Sequence, residues 1–209
     1  MAPLSSNVNE KGKIFITFDD GYESVYSHAF PLIEEAGGRG SVFLVSDFIG
    51  RRNRWDSNPG FLSFTHLTRP QIRELVQAGW TIGSHTRSHR CLIGMVDKQL
   101  KSELKESRKI LEDLSGHPVE YIVPPFGKAD RRVIETALDC GYRKILLPLT
   151  FYRLRFPDSN CLYRWNIYAT DSEKSLATRL SSVNSKLLIG RQMVITFCNN
   201  ASIATVNVR

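Results

Sequence analysis

Two histidines and two aspartates are the residues of this chain whose types and spacing suggest chemistry. His85 and His89 lie four residues apart in the motif GSHTRSH, and Asp19 and Asp20 are adjacent in the motif TFDDG. Imidazole nitrogens bind zinc and related metals, and one carboxylate added to two histidines makes an open site with three protein ligands. The histidines can face one point if the segment between them makes one helical turn.

The acidic pair follows a short apolar run, residues 14–18, and precedes a glycine. This pattern predicts a buried strand that brings Asp19 and Asp20 to its C-terminal end. Neighbouring carboxylates repel each other, and a nearby cation would relieve that cost. A metal bound by Asp20, His85 and His89 would supply the cation and leave the second carboxylate to act on a metal-bound water.

Each motif also has a simpler interpretation. The histidines could be ordinary surface or capping residues near a turn, and the aspartates could serve as a helix N-cap and a turn residue. Both motifs follow apolar runs, where strands would end, and this placement favours the metal site.

Short apolar runs alternate with longer amphipathic segments, which predicts parallel βαβ units. The predicted strands are residues 13–18, 40–46, 80–83, 119–123, 143–147, 162–168 and 193–197. The predicted helices are residues 22–36, 67–78 with Thr68 as N-cap, 97–114, 130–140 and 173–188. Pro31 could split or kink the first helix. Residues 47–66 lack a clear period and are predicted to form a long loop.

Seven such units suit a distorted, incomplete (β/α)7 barrel better than an open sheet. Barrels of this kind carry their chemistry at the C-terminal ends of the strands. The candidates that follow or end predicted strands are Asp19, Asp20, His85, Phe126, Arg164 and Cys198. On the helix 97–114, the apolar stripe is expected to face the core, with charged residues such as Glu103 on the solvated faces.

Length and composition limit the classes of protein. With 209 residues, of which 42% are hydrophobic and 23% charged, the chain has the profile of a globular protein. We expect a loose arm over residues 1–12 and one domain over residues 13–209. No apolar run approaches the length of a membrane span, and the first residues lack the features of a signal peptide. We therefore expect a cytoplasmic protein, or a chain from which a leader has been removed.

The charge pattern argues against nucleic acid as a partner. The net charge is +7, but the basic residues form no aromatic-interleaved stripe and no known nucleic-acid motif. A mild attraction to an anionic membrane surface or to a lipid-linked sugar is compatible with this charge, and solvated helix faces explain it equally well. The four cysteines show no C-x-x-C spacing, so reduced thiols are the simpler expectation. The oligomeric state is not indicated.

Together these motifs resemble those of the polysaccharide deacetylases, carbohydrate esterase family 4. The TFDDG and SHTRSH motifs are similar to the first two motifs of that family, and residues 67–85 supply a similar context. The sequence PPFG, residues 124–127, resembles the family's proline-aromatic-glycine loop. The resemblance covers about residues 13–200.

The resemblance implies a distorted barrel that hydrolyses an N-acetyl or related small acyl group of a sugar. Asp20, His85 and His89 would bind the metal, and Asp19 would take a proton from water. The metal is expected to be zinc, although cobalt, manganese or nickel suit the same ligands. The backbone N–H of Phe126 would stabilise the oxyanion, and Pro125 would stiffen its loop.

Two departures from the family pattern bear on the activity. Val123 stands where the family has an arginine that pairs with the catalytic aspartate, and Cys198 stands near the place of a general-acid histidine. We expect Arg164 to replace the missing arginine, although it could instead end a strand and reach water. The alternatives to a deacetylase are a catalytically impaired carbohydrate-binding relative and a metal-dependent hydrolase of a non-sugar C–N bond.

Overall fold

The computed structural model describes residues 14–53, 64–149, 159–167 and 171–181. The chain divides into two compact units, one ending at Ile145 and the other beginning at Leu146. Within the described residues, no helix combines the length and the apolar character that crossing a membrane requires. The predicted division into residues 1–12 and 13–209, and the location of the protein in the cell, stay predictions.

Six strands lie side by side in chain order in one sheet. They are β1 (Ile16–Phe18), β2 (Gly40–Leu44), β3 (Thr81–Ser84), β4 (Tyr121–Ile122), β5 (Lys144–Pro148) and β6 (Cys161–Arg164). The pairs from β1–β2 to β4–β5 are parallel, as the alternation of strands and helices predicts. The predicted α/β class is confirmed, and six of the seven predicted strands are present. The seventh, residues 193–197, lies outside the described residues.

Five α-helices are described. They are α1 (Phe30–Glu35), α2 (Arg69–Gln77), α3 (Asp97–Ser115), α4 (Arg131–Asp139) and α5 (Glu173–Ser181). Short 3-10 turns cover Ser46–Phe48 and Pro125–Gly127. The remainder of the last predicted helix, residues 182–188, lies outside the described residues.

The first predicted helix, residues 22–36, is divided as its proline suggested. Its first part is a π-helix over Val25–Ala29, and the Phe30 N–H donates to the Val25 carbonyl five residues earlier. Pro31 follows at once in α1. A proline ring crowds the carbonyl four residues before it and has no N–H to donate, so the wider turns lie directly before Pro31.

Local capping explains where the later helices begin and end. Thr68 caps α2 as predicted, and the Gln71 side chain accepts the Thr68 N–H at 2.9 Å. Helix α3 ends at Gly116, which has a left-handed backbone with φ of 72°. Asp130 caps α4 by accepting the Val133 N–H at 2.8 Å.

The centre of the sheet is closely packed beside the predicted ligand segment. Every residue of β2 is buried, as expected for a strand covered on both faces. Gly83 on β3 lies next to Phe43 on β2, whose side chain is fully buried. A Cβ at Gly83 would overlap the Phe43 ring, so the glycine is required by this close approach.

We predict that Gly83→Ala lowers the free energy of unfolding by about 1–3 kcal/mol, because an added methyl in a packed core forces its neighbours to shift. Urea unfolding followed by circular dichroism measures this loss. The double variant Gly83→Ala/Phe43→Leu should lose less unfolding free energy than the sum of the losses in the two single variants, because leucine leaves space for the added methyl group. Simple additivity would contradict the steric cause.

Candidate metal centre

Asp20, His85 and His89 come together at the C-terminal ends of β1 and β3. The Asp20 Oδ1 atom lies 3.3 Å from His85 Nε2 and 3.2 Å from His89 Nε2. Both histidines are buried, with 3% and 7% of the residue surface exposed. Within the described part of the chain, this trio is the one cluster of at least three His, Cys, Asp or Glu residues able to share a metal ion. One ligand atom from each lies within 4.8 Å of the others.

The distances from Asp20 to the two histidines fit a bound metal. Two ligand atoms that each lie about 2.0–2.1 Å from zinc at the tetrahedral angle are roughly 3.3 Å apart. A hydrogen bond between a charged imidazole and a carboxylate is usually shorter, about 2.7–2.9 Å. The observed 3.3 and 3.2 Å are therefore the separation expected for ligands of one ion.

The segment from His85 to His89 does not form the helical turn that the four-residue spacing suggested. It is an irregular loop, in which Thr86 and His89 have left-handed backbones with φ of 68° and 58°. The loop is attached to the 3-10 turn that follows β2, where the Ser46 and Asp47 N–H groups donate to the Thr86 and Arg87 carbonyls. The backbone reversals bring the two imidazoles together without a helix.

Left-handed residues mark this site more generally. The non-glycine residues with positive φ in the described segments are Asp20, Thr86, His89 and Phe126. Two of them are predicted ligands, one lies between the predicted ligands, and the fourth is the predicted oxyanion residue. Such conformations cost energy and persist where surrounding contacts enforce them, often at functional sites.

The turn that carries Asp20 is held by a neighbouring segment. The Gly21 N–H donates to the Asp19 carbonyl at 2.8 Å, and the Gly21 carbonyl accepts the Leu67 N–H at 2.8 Å. His66 pairs with Tyr22 in an isolated bridge, and its Nδ1–H donates to the Arg51 carbonyl at 2.9 Å. Part of the predicted long loop thus packs against the turn that presents Asp20.

A backbone carbonyl sets the tautomer of His85. The His85 Nδ1–H donates to the Val123 carbonyl at 2.7 Å, which leaves the Nε2 lone pair for a metal. The Val123 N–H in turn donates to the Ser84 carbonyl at 2.9 Å. The residue that replaces the family's arginine thus orients a predicted ligand through its main chain.

The third motif lies beside the second. The Phe126 ring packs against the His89 ring with a centroid separation of 5.0 Å, and Phe126 has φ of 61° within its 3-10 turn. Pro125 is buried. The predicted oxyanion residue and the predicted ligand His89 are therefore neighbours.

Glu103 was placed on a solvated face of the helix from the sequence, and that placement is wrong. Only 7% of its surface is exposed. Its carboxylate accepts the Arg87 and Ser88 N–H groups and the Ser88 hydroxyl, all from the loop between the two histidines. Its position between Leu100 and Ser107 on the buried face of α3 was the available signal.

Arg164 is the last residue of β6 and belongs to the second unit, where its side chain is half-buried. Its carbonyl accepts the Leu149 N–H at 2.8 Å. The pairing of Arg164 with Asp19 stays a prediction. Cys198, at the place of the general-acid histidine, lies outside the described residues.

The charges of the site shift the pKa values of its members. Burial raises the pKa of Asp20, but its contacts with the two imidazoles and their positive charges outweigh burial and hold that pKa well below its ordinary value. Burial lowers the pKa of His85, but the contact with Asp20 and the negative charges of Asp19 and Asp20 raise it above its ordinary value. Asp19 therefore acts electrostatically on the predicted metal ligand His85.

Comparison with known proteins identifies the family. A sequence model of the family described as polysaccharide deacetylase matches residues 6–145. The chain belongs to the polysaccharide deacetylase family. The matched region contains the whole trio and the loop that carries Phe126. It is shorter than the span of about 13–200 over which the motifs suggested a resemblance.

Two curated relatives illustrate the match. A Bacillus subtilis protein named "Putative polysaccharide deacetylase YxkH" is 30% identical over 130 residues, which cover 62% of this chain and 42% of that protein. The poly-beta-1,6-N-acetyl-D-glucosamine N-deacetylase of Staphylococcus aureus is 23% identical over 126 residues, which cover 59% of this chain and 39% of that protein. The matches thus span less than half the length of these relatives.

Solved structures confirm the fold. The deacetylase PplD of Streptococcus pyogenes, in complex with acetate, superposes with a TM-score of 0.67 at 18% identity, covering 81% of this chain and 71% of that one. IcaB of Ammonifex degensii gives a TM-score of 0.64 at 21% identity, covering 80% and 72%. The predicted barrel type of the polysaccharide deacetylases is therefore confirmed for this chain.

We predict that zinc raises the melting temperature more as the pH increases. The pKa of His85 is raised above its ordinary value of 6.5, so protonation of His85 stabilises the metal-free fold at pH values below 6.5. This stabilisation is lost as the pH rises through the raised pKa. Metal binding needs unprotonated Nε2 atoms, so acid opposes it. Thermal unfolding with zinc and with a chelator, from about pH 5.5 to about pH 8, measures the difference.

The exposed histidine variant His117→Ala serves as the control for this series and should behave as the unmodified chain. A zinc-induced rise in melting temperature that is equal at all pH values, or larger in acid, would contradict the assignment of imidazole ligands.

Proposed function

We propose that this chain is a metal-dependent hydrolase that removes N-acetyl or related small acyl groups from an amino sugar of a polysaccharide or oligosaccharide. The observation that carries this proposal is the convergence of the Asp20 Oδ1 atom and the two Nε2 atoms at 3.3 and 3.2 Å. Family membership supports the reaction class. The sugar substrate is suggested by the Staphylococcus aureus relative, which is named for an N-acetylglucosamine polymer.

Asp20, His85 and His89 would hold the metal. Two nitrogens and one oxygen suit zinc, and cobalt, manganese and nickel are compatible with the same set. When bound, such an ion acts as a Lewis acid and lowers the pKa of a bound water. The hydrogen bond from His85 to the Val123 carbonyl orients the imidazole for this role.

Asp19 would accept the proton of the attacking water at its carboxylate. It adjoins Asp20 at the end of β1, and its charge raises the pKa of His85. It does not belong to the trio whose ligand atoms converge. A carboxylate that is near the trio but not part of it is positioned to serve as a general base.

Phe126 would stabilise the negative charge that develops on the carbonyl oxygen of the acyl group. Pro124 and Pro125 have no N–H, so the N–H of Phe126 is the first one that this turn offers. The Phe126 ring lies against His89, which places the turn beside the trio. A backbone donor held in a fixed turn suits an oxyanion because it needs no reorganisation during the reaction.

A second candidate function is a carbohydrate-binding protein without turnover. Val123 favours it, because an arginine that pairs with the base is missing at this position. The spare carboxylate Asp19 favours the enzyme, because a binding protein has no need of a base beside its metal.

Two substitutions should separate these roles. We predict that Asp19→Asn retains zinc but loses about 10²–10⁴-fold in the rate of acetate release from N-acetylated oligosaccharides, because the amide cannot accept the proton. His89→Ala should lose both the metal and the hydrolysis. Metal analysis after dialysis and an acetate-release assay measure the two properties.

Matched controls are available for both substitutions. Asp113→Asn and His117→Ala change exposed residues of the same types and should leave both properties unaltered. Full zinc occupancy in His89→Ala would overturn the metal site. Zinc binding without acetate release in the unmodified chain would favour the binding protein.

We further propose that Arg164 is the charge partner of Asp19. A guanidinium beside the base would keep Asp19 turned away from the metal, a role that Val123 cannot supply. Arg164→Met should therefore lower the rate of acetate release about 10-fold or more without loss of zinc. The control Arg143→Met removes an exposed arginine and should have no effect. A rate within two-fold of the unmodified chain would show that Arg164 is not the partner.

A further inference from the structure

Glu103 is a buried acidic residue in the described part of the chain that the proposed reaction does not use. It projects from α3 and binds three donors of the loop between His85 and His89. Its Oε2 atom accepts the Arg87 N–H at 3.1 Å and the Ser88 N–H at 2.9 Å, and its Oε1 atom accepts the Ser88 hydroxyl at 2.5 Å.

Burial makes these bonds energetically important. Taking a carboxylate from water into a protein interior is costly unless hydrogen bonds replace its hydration, and Glu103 is only 7% exposed. Hydrogen bonds to an ionised group are shorter and stronger than those between neutral groups. Successive N–H groups that converge on one anion form a concavity that favours negative charge. Glu103 and the loop therefore stabilise each other.

These hydrogen bonds hold the part of the loop that directly precedes His89 and orients its side chain. Arg87 and Ser88 lie between Thr86 and His89, the two left-handed residues of the segment. Their N–H groups must point towards α3 for the carboxylate to bind both. The carboxylate thereby fixes the orientation of the Arg87 and Ser88 peptide groups, which lie between the two left-handed residues.

The helix that carries Glu103 is itself tied to β3. The Ser107 hydroxyl, one turn further along α3, lies 2.8 Å from the Ser84 hydroxyl, and Ser84 Oγ accepts the Thr86 N–H at 3.1 Å. The Leu104 carbonyl accepts the hydroxyl of buried Tyr142 at 3.0 Å. Glu103 thus joins the loop to a well-anchored part of the fold.

We propose that Glu103 is a positioning residue for the metal centre, and this inference rests on the proposed function. Its carboxylate holds the loop in the strained conformation that directs the His89 Nε2 atom towards Asp20, before any metal binds. The three ligands would then need little rearrangement to bind a metal. A partner that orients a ligand typically contributes 10–100-fold to metal affinity.

Glu106 provides a matched control on the same helix. Its carboxylate binds the Arg87 side chain at 2.5 Å, and Arg87 also donates to Asp47 at 3.1 Å. The Glu106 contact is exposed and the Asp47 contact is partly exposed, so the ion pair with Glu106 should contribute little. Glu103 and Glu106 therefore contact the same loop, but only Glu103 is buried against its backbone.

The test compares Glu103→Gln and Glu103→Leu with Glu106→Gln in the full chain. Zinc affinity is measured at 25 °C by competition with a chromophoric chelator, on protein shown to be folded by circular dichroism. Glutamine keeps the shape but loses the charge, and leucine loses every acceptor. We expect zinc affinity to fall about 10-fold in Glu103→Gln and about 100-fold in Glu103→Leu, and to be unchanged in Glu106→Gln.

A second readout does not need the metal. Amide hydrogen exchange of metal-free protein, followed by NMR, should be faster at Arg87 and Ser88 in both Glu103 variants and unchanged in Glu106→Gln. A folded Glu103→Leu with zinc affinity within two-fold of the unmodified chain would overturn the proposal. If Glu103→Leu does not fold, the same outcome in Glu103→Gln, with unchanged exchange, would overturn it.

The two readouts also distinguish this inference from the proposed function. Failure of the unmodified chain to bind zinc, cobalt, manganese or nickel would refute the proposed function. Amide hydrogen exchange at Arg87 and Ser88 would then still test whether Glu103 holds the loop. Faster exchange in the Glu103 variants would support this role, and unchanged exchange would refute it.

Discussion

The convergence of one carboxylate oxygen and two imidazole nitrogens is the constraint on which the rest of this structure depends. Asp20, His85 and His89 come from two separate segments, and both imidazoles are buried. Holding the two Nε2 atoms 3.3 and 3.2 Å from the Asp20 Oδ1 atom requires two turns with left-handed residues, each stabilised by neighbouring segments. Residues 64–67 hold the first turn, and helix α3 and the end of β2 hold the second.

The parallel sheet brings these turns together. In such a sheet the C-terminal ends of neighbouring strands lie at one edge, so residues that follow β1 and β3 can meet although 65 positions separate Asp20 from His85. Close packing keeps the edge in register. Gly83 and Phe43 pair across β3 and β2, and the Val123 carbonyl after β4 binds His85.

The departures from the family pattern lie around the trio of Asp20, His85 and His89 and not within it. Val123 cannot provide the charge of an arginine, yet its carbonyl orients a proposed ligand and its N–H binds the end of β3. The main chain at this position therefore serves the trio whatever the side chain is. What changes is the charge available to Asp19, and under the proposed function the rate of hydrolysis would depend on which residue supplies that charge.

The sequence by itself determined the α/β class and most helices, because apolar period and caps are local properties, and its two motifs predicted the members of the trio. Thr68 marks the start of α2, and Gly116 and the leucines of α3 mark the end and the buried face of that helix, without tertiary information. Only the tertiary structure decided that the loop from His85 to His89 is not helical, that the Val123 carbonyl orients His85, and that Glu103 is buried. Each of these three features depends on hydrogen bonds between segments distant in sequence. A charged residue such as Glu103 is predicted to be exposed to solvent as long as its hydrogen-bond partners are unknown.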